Sequence, residues 1–511
     1  AAAGALLASA VMLQATWSAY ARSGRASVCL PLAAALVGAG ALALAAAHRL
    51  GGSPRCGQVA SWSRWLGAGV LLATAASISW AVSWQGRHEA VAHARIGACA
   101  FEVRGDPGIG SFGASMTARI VDSDSIPLGE VRLTADEPRE RGETLRLVAR
   151  VKEFDGGDWA RSRFMKGEVA SVQAVRVLDI DRSGTLDPIG AARARALAAI
   201  EPSRSDARAL IAGVVCGRTT ELNEVPASED FASAGLTHLV AVSGSHLAFI
   251  TMLLEGALGR LRLRRSARAS ILLSIMGAYV VFTGCAASAV RSVLMVAGAL
   301  LCGMGGRRSH PLSALVITVT ALVLIDPGVA FDLGFQLSAA SVLFILVFGR
   351  YVAYLLAVAG APAAVAEALS LTLCSQWATL PLTAPVFGRL SLIAPVANLV
   401  VGPVMSALLV IGLIAVPVCS IAPVLGPLLA VPESLASFSI FLSALFADIP
   451  FAAVPVSLSW VQLAPCHLVA LPVYLVWRDW GRWQVIAAAA AAAIAVSVHL
   501  ARWTLFAPAG L

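Results

Sequence analysis

Long uncharged apolar runs constrain this chain more than any other feature of its sequence. Residues 1–21, 27–47 and 65–86 form three of them before position 87. Residues 269–290, 309–325, 333–349, 368–388, 390–432, 449–477 and 483–501 form more after position 206, and none holds Asp, Glu, Lys or Arg. A helix that crosses the hydrocarbon core of a bilayer needs about 20 such residues. The 511 residues are 58% hydrophobic and 13% charged, whereas soluble domains run at roughly 45–50% and about 25%. That excess excludes a soluble enzyme and a disordered chain, and nine Cys are too sparse for a disulfide scaffold. The expected fold class is a polytopic α-helical membrane protein with roughly 10–13 spans. Pro381, Pro385, Pro395, Pro403 and Pro417 blur the later boundaries. The chain opens on Ala1 rather than Met, which points to a trimmed or misassigned start. Residues 1–21 lack the basic n-region of a signal peptide and read as a first span.

Between 87 and 187 the texture changes. Val131 and Leu133 alternate with Arg132 and Thr134, and Leu145, Leu147, Ala149 and Val151 alternate with Arg146, Val148, Arg150 and Lys152. Residues 169–178 alternate more weakly, and Gly105-Asp106-Pro107, Pro127, Gly142 and Gly156-Gly157 punctuate. Short strands at such spacing predict a small β-barrel or sandwich, inserted between N-terminal transmembrane helices (1–86) and a multi-span domain (188–511). Residues 191–200, with Arg193 and Arg195, read as a helix leading back to the membrane.

Charge sets the orientation. From Arg87 to Arg208 there are 19 basic and 19 acidic residues, so the net +8 of the chain lies outside that stretch. Basic loops mark the cytoplasmic side. Arg260, Arg262, Arg264, Arg265 and Arg268 are the strongest such marker, and Arg307 and Arg308, two spans later, fall on the same side. Arg49, Arg55 and Arg64 place the loop before the third span inside as well, while Arg22 and Arg25 argue the other way. The β-domain is therefore expected outside the cytoplasmic membrane.

Polar groups inside spans are costly and point to function. His238, Ser243, Ser245 and His246 crowd into one stretch in which Gly244 can break a helix. Such breaks are tolerated at membrane depth only where they are buried or face water. On an unbroken helix the two histidines would stand about 80° apart, and they serve equally well as hydrogen-bonding links to neighbouring helices. Arg291 reads as a pore residue or as a snorkelling interfacial arginine. Asp326, Asp332 and Gln336 form a further polar node, in which the acids also suit helix caps. Gln376 and Asn398 read as helix-to-helix glue.

Four ordered blocks carry a resemblance: 235–250 (GLTHLVAVSGSHLAFI), 277–295 (GAYVVFTGCAASAVRSVLM), 326–338 (DPGVAFDLGFQLS) and 376–403, which contains PLTAPVFGRLSLIAPVANLVVGP. Together they resemble the ComEC family of bacterial competence proteins. The β-domain looks like the OB-like domain of that family, with 157–169 (GDWARSRFMKGEV) similar to its weaker signature. The resemblance covers most of 87–403, and it implies import of one DNA strand across the bacterial cytoplasmic membrane during natural transformation. The implied path residues are His238, Ser243, Ser245, His246, Arg291, Asp332 and Gln336. Arg132, Arg146, Arg150 and Lys152 are the candidates for a DNA-facing patch on the β-domain, which otherwise reads as a solvated surface. Trp159, Phe164, Phe231 and Phe335 are candidate stacking partners for bases. The implied partners are single-stranded DNA, the lipid bilayer, a separate nuclease, and cytoplasmic DNA-translocating or DNA-binding competence proteins.

Two departures stand out. Ser245 occupies a position where the family usually has Leu. Many members also end in a metallo-β-lactamase-like nuclease domain, and no H-x-H-x-D run for its metals exists among the eight histidines of this sequence. This chain is therefore expected to carry no metal, no cofactor and no nuclease. Competing readings are an intramembrane hydrolase, with Ser243 or Ser245 as nucleophile and His246 or His238 as base, and a small-solute transporter. Adjacent Ser245 and His246 diverge on a helix, which weakens the first, and a transporter leaves the large β-domain without a role. Cys216, Cys285, Cys302, Cys374 and Cys419 read as small core residues, and with Cys99 alone in the β-domain no disulfide can form within it.

Overall fold

A computed structural model describes residues 2–23, 30–50, 57–92, 96–110, 113–122, 129–139, 141–152, 154, 157–181, 188–261, 263–304 and 310–456. The expected run 483–501, and 449–477 beyond residue 456, lie outside the described residues. So do Arg25, Arg55, Arg262, Arg307 and Arg308, and the side chains of Arg22, Arg49 and Arg64. The chain divides into two compact units, each described by itself. The first holds residues up to Ile200, Cys216–Thr220 and Gly244–Gln336; the second holds Glu201–Val215, Glu221–Ser243 and the chain from Leu337.

The first unit opens with α1 (Ala2–Ser23), α2 (Leu30–Leu50) and α3 (Gly57–Ala92). Helices α2 and α3 meet at Gly40 and Gly67, where a Cβ on Gly67 would stand 2.7 Å from the Gly40 carbonyl oxygen. Small residues allow helices to approach this closely. At about 1.5 Å per residue, the 36 residues of α3 span ~54 Å, well beyond the ~30 Å of a hydrocarbon core. Its C-terminal part carries Trp80, Trp84 and His88 to a β-barrel.

The barrel strands are β1 (Ile96–Val103), β2 (Gly108–Gly110), β3 (Gly113–Asp122), β4 (Glu130–Ala135), β5 (Thr144–Lys152) and β6 (Ser171–Asp181), with α4 (Asp158–Met165) between the last two. Strand order runs β1-β5-β6-β4-β3, and β1 pairs with β3 as well as β5, so five strands close while β2 extends β3. Strands β4 and β6 are parallel and the other pairs antiparallel. Register shifts at Ala100/Phe101 and twice along β5–β6 supply the local twist that closure needs. The predicted alternation holds: Val131, Leu133, Leu145, Leu147 and Ala149 are buried, and Arg146, Arg150 and Lys152 are exposed. Strand β6 begins at Ser171, two residues later than the expected start.

Aromatic side chains join the barrel to α1 and α3. Trp17, Tyr20 and Trp84 share a core with Phe101, Leu133, Phe164 and Met165. Trp84 Nε1 donates to the Glu168 carbonyl at 2.9 Å, Tyr20 Oη donates to the Phe154 carbonyl at 3.3 Å, and His88 Nδ1 lies 2.6 Å from the Val169 carbonyl. The His88 ring stacks on Trp84 at 4.7 Å. Arg161 of α4 reaches Gln14 of α1 at 2.7 Å.

After the barrel come α5 (Pro188–Ile200), α6 (Asp206–Ile211), α7 (Ala227–Ser233), α8 (Thr237–Val240), α9 (Gly244–Gly259), α10 (Arg265–Thr283), α11 (Ala287–Met304), α12 (Pro311–Ile325), α13 (Leu333–Val358) and α14 (Ala363–Phe387). Then follow β7 (Arg389–Ser391), α15 (Ala394–Ile421), α16 (Ala430–Ala447) and β8 (Ala453–Pro455), which pairs with β7. In the first unit α9, α10 and α11 pack around Leu247, Leu258, Leu272, Met276, Val280 and Ala289. In the second, α6 and α7 pack on α16, and α14 and α16 pack on α15. Among the described residues five helical stretches are long and apolar enough to cross a membrane: Gly67–Glu89, Arg265–Thr283, Leu333–Val358, Ala394–Ile421 and Pro423–Ala447. Leu32–Ala45, Ser288–Cys302 and Pro311–Ile325 are shorter apolar helices.

Candidate functional site

The helix breaks at 241–243, just before Gly244 and close to where the sequence allows a break. Helix α8 ends at Val240, Ala241 is extended (φ −98°, ψ 158°), and α9 begins at Gly244. The single-helix angle between His238 and His246 therefore does not apply. They lie in different units, with His238 and Ser243 in the second and Ser245 and His246 in the first. His246 is buried, whereas Ser245 beside it is exposed; the two side chains diverge.

Within the first unit α9 packs on α11, and each carries a candidate within its first five residues. Arg291 is the fifth residue of α11 and is only 3% exposed. Its Nη1 contacts Met295 Sδ at 2.9 Å, and Nη2 donates to Ser292 Oγ at 3.3 Å. A snorkelling arginine holds its guanidinium in water; this one keeps it inside the protein. Asp332 immediately precedes α13, and Gln336 is the fourth residue of that helix. Asp332 Oδ1 accepts from the Phe335 amide at 2.6 Å, and Gln336 Nε2 donates to the Ala330 carbonyl at 2.6 Å. Asp326 Oδ1 accepts from the Gly328 amide at 2.9 Å. Both acids cap, as the cap reading foresaw.

Within the second unit, His238 is within hydrogen-bonding reach of the Asn398 side chain and the Gly235 backbone. Asn398 Nδ2 in turn donates to Thr372 Oγ1 at 2.7 Å. Gly235 makes the approach to α15 possible: its φ is +73°, and a Cβ there would stand 2.5 Å from Ala394 Cβ. Gln376 donates to the Ser391 carbonyl. Asn398 links α15 to α8 and α14, as its plain reading expects, whereas Gln376 bonds to β7.

On the barrel, Arg132 differs from its three companions. It is half-buried and donates to Ser115 Oγ at 2.6 Å and the Ser115 carbonyl at 3.1 Å. Beside it lies Glu168, 1% exposed, which accepts from Thr117 at 3.1 Å and faces Arg163 Nη1 at 3.6 Å. Burial pushes the Glu168 carboxyl above the usual carboxylate range and lowers the Arg132 guanidinium, helped by nearby Arg163. Arg163 also stands 5.6 Å over the ring of half-exposed Trp159.

Sequence reasoning missed the tie between barrel and helices. Arg193 of α5 grips Asp106 with both ends of its guanidinium, Nη1–Oδ1 2.8 Å and Nη2–Oδ2 2.6 Å, and its Nε donates to the Cys216 carbonyl at 3.2 Å. Thr220 Oγ1 donates to the Pro107 carbonyl at 2.9 Å. The signals were present, an arginine on an Ala-rich helix and a Gly-Asp-Pro turn, but nothing local pairs them.

A family model described as Competence protein matches residues 215–481, just over half of the sequence. The chain belongs to the competence protein family. ComE operon protein 3 of Bacillus subtilis (strain 168) is 34% identical over 106 residues, which are 21% of this chain and 14% of that protein. This similarity thus spans a small part of the relative's length. No solved structure matches.

Proposed function

We propose that this chain forms the passage by which one DNA strand crosses the bacterial cytoplasmic membrane in natural transformation. The observation that carries the proposal is the family match over 215–481, which contains the broken helix at Gly244 and the buried Arg291. A strand with one charge per phosphate needs a hydrated, protein-lined path through a bilayer. In this reading His238, Ser243, Ser245, His246, Arg291, Asp332 and Gln336 line that path. A single arginine with hydroxyls and amides beside it attracts phosphates without trapping them, since conduction needs weak, multi-site binding.

The remaining parts of the reading follow from the same charges. Residues 1–86 anchor, the barrel within 87–187 is an OB-like domain outside the membrane, and 188–511 is the channel domain with some 10–13 spans in all. Arg146, Arg150 and Lys152, exposed along β5, and half-buried Arg132 of β4, two strands away, meet incoming DNA. A separate nuclease and cytoplasmic DNA-handling competence proteins complete the system. The test is transformation by a strain whose own copy is replaced with Arg291→Ala, with insertion checked by membrane fractionation. Transformation is expected to vanish while the protein still inserts; a parental rate from inserted protein refutes the passage.

A further inference from the structure

We propose that α14 presents a hydrated, neutral hydrogen-bonding face in the second unit, and that this face contacts the sugars and bases of a single DNA strand. The proposal rests on the import reading above and adds a wall that reading did not include. With 25 residues, α14 is about 37 Å long, enough to cross a ~30 Å core. It follows α13 and precedes α15, and both are apolar enough to cross, yet α14 is not among the helices that qualify. Glu367, Trp377, Pro381 and Pro385 lower its hydropathy, and so does a row of polar residues along one side of it. Thr372, Gln376, Thr379 and Thr383 recur at steps of four, three and four, the spacing of a single helical face, with Ser375 alongside.

Part of this face is bonded to its neighbours. Ser375 Oγ donates to Ser341 Oγ of α13 at 2.9 Å, Thr372 accepts from Asn398 of α15, and Thr379 and Thr383 return their hydroxyls to the α14 backbone at 2.9 and 3.1 Å. These bonds leave hydrogen-bonding capacity unused, since an amide offers two donors and two acceptor lone pairs and each hydroxyl two lone pairs. Pro381 and Pro385 lie inside the helix and lack an N–H, so the carbonyls of Trp377 and Pro381 lose their intrahelical donors. Among the described residues, Thr372, Gln376, Thr379, Thr383 and Asn398 are half-buried. Glue sealed between helices would be buried, and a polar stripe turned to lipid would be costly. In the proposal the open part of this face meets water. With no charged residue from 368 to 388, the face neither repels nor holds a phosphate, and its hydroxyls and amides match sugar oxygens and base edges.

The test is thiol labelling of the full chain in proteoliposomes with a membrane-impermeant reagent, each site read by peptide mass so that the native cysteines stay in place. Gln376→Cys and Thr379→Cys are compared with Leu371→Cys and Ile414→Cys, at positions 50% and 64% exposed and apolar. The reactive thiolate forms in water, so the first pair is expected to label about tenfold faster than the second. Oligothymidylate should slow that labelling several-fold, and inorganic phosphate should not. Thr379→Cys is close to isosteric, so it serves even where Gln376→Cys misfolds. Equal rates at all positions overturn the hydrated face. Fast labelling that the oligonucleotide leaves unchanged overturns the DNA contact. DNA uptake by the same liposomes then separates the two readings: with uptake intact only this wall is wrong, and with uptake lost the import reading itself falls.

Discussion

Asp106→Ala removes one side of the tie between the barrel and α5. The guanidinium of Arg193 has a side chain 5% exposed, that of Asp106 is 24% exposed, and the two meet at 2.6 and 2.8 Å. Breaking a buried pair by removing one partner costs about 3–5 kcal/mol, because the remaining charge is stranded. Asp106 is partly open to water and Arg193 keeps its bond to the Cys216 carbonyl, so the lower end applies, about 3 kcal/mol. At 1.4 kcal/mol per factor of ten, the barrel should open from α5 on the order of 100-fold more often. Native-state proteolysis of the detergent-solubilised full chain reads that opening as a cleavage rate. Glu102→Ala is the internal control: its partner is Arg104, and the side chains are 30% and 43% exposed, so roughly 0–1 kcal/mol is at stake. Replacing both Asp106 and Arg193 with apolar residues should recover most of the loss, since apolar substitution of a whole buried pair is often neutral. If Asp106→Ala cleaves no faster than Glu102→Ala, the tie is not what holds barrel to helix.

Three further outcomes are expected. Glu168 holds its proton to higher pH in the folded chain than its ordinary value of 4.5; the native state therefore binds more protons in the window above that value, and stability falls as pH rises through it. Thermal midpoints of Glu168→Gln should lack that fall, and a parental slope would exonerate the residue. Gly235→Ala combines a positive φ with a Cβ pressed on Ala394 and should cost about 2–4 kcal/mol, read as lost heat resistance; an unchanged midpoint would show that the close approach relaxes freely. Arg146→Cys should react with an impermeant reagent from outside intact spheroplasts, and reaction only after permeabilisation would reverse the proposed orientation.

The parts of the molecule legible in the sequence were those with a local period. Val131, Leu133, Leu145 and Leu147 announced strands because a barrel wall has one dry face, and the Ser-Gly-Ser run at 243–245 announced a break that falls at 241–243, just before Gly244. Closure of the barrel was not legible, for it depends on β1 pairing with both β3 and β5 and on the parallel β4–β6 pair. No short-range pattern encodes those pairings. His238 was legible as a costly polar group, but its neighbour Asn398 lies 160 residues onward, and only the fold joins them. On the polar face of α14 only Gln376 was singled out, within the run 368–388 whose boundaries Pro381 and Pro385 blur. The chain instead continues helical to Phe387, and continuation is what aligns Thr372, Gln376, Thr379 and Thr383. Arg132 alternated correctly with its neighbours, yet it turns to Ser115 and Glu168 because β3 and β6 flank β4.

Passage of DNA through the purified chain is the most direct test of the central claim. Proteoliposomes holding a trapped complementary strand and a duplex-sensitive dye, with single-stranded DNA added outside, report passage as fluorescence without any other protein. The account predicts a signal that protein-free liposomes lack and that Arg291→Ala suppresses. No signal above the protein-free background, from chain shown to be inserted and folded, would contradict it.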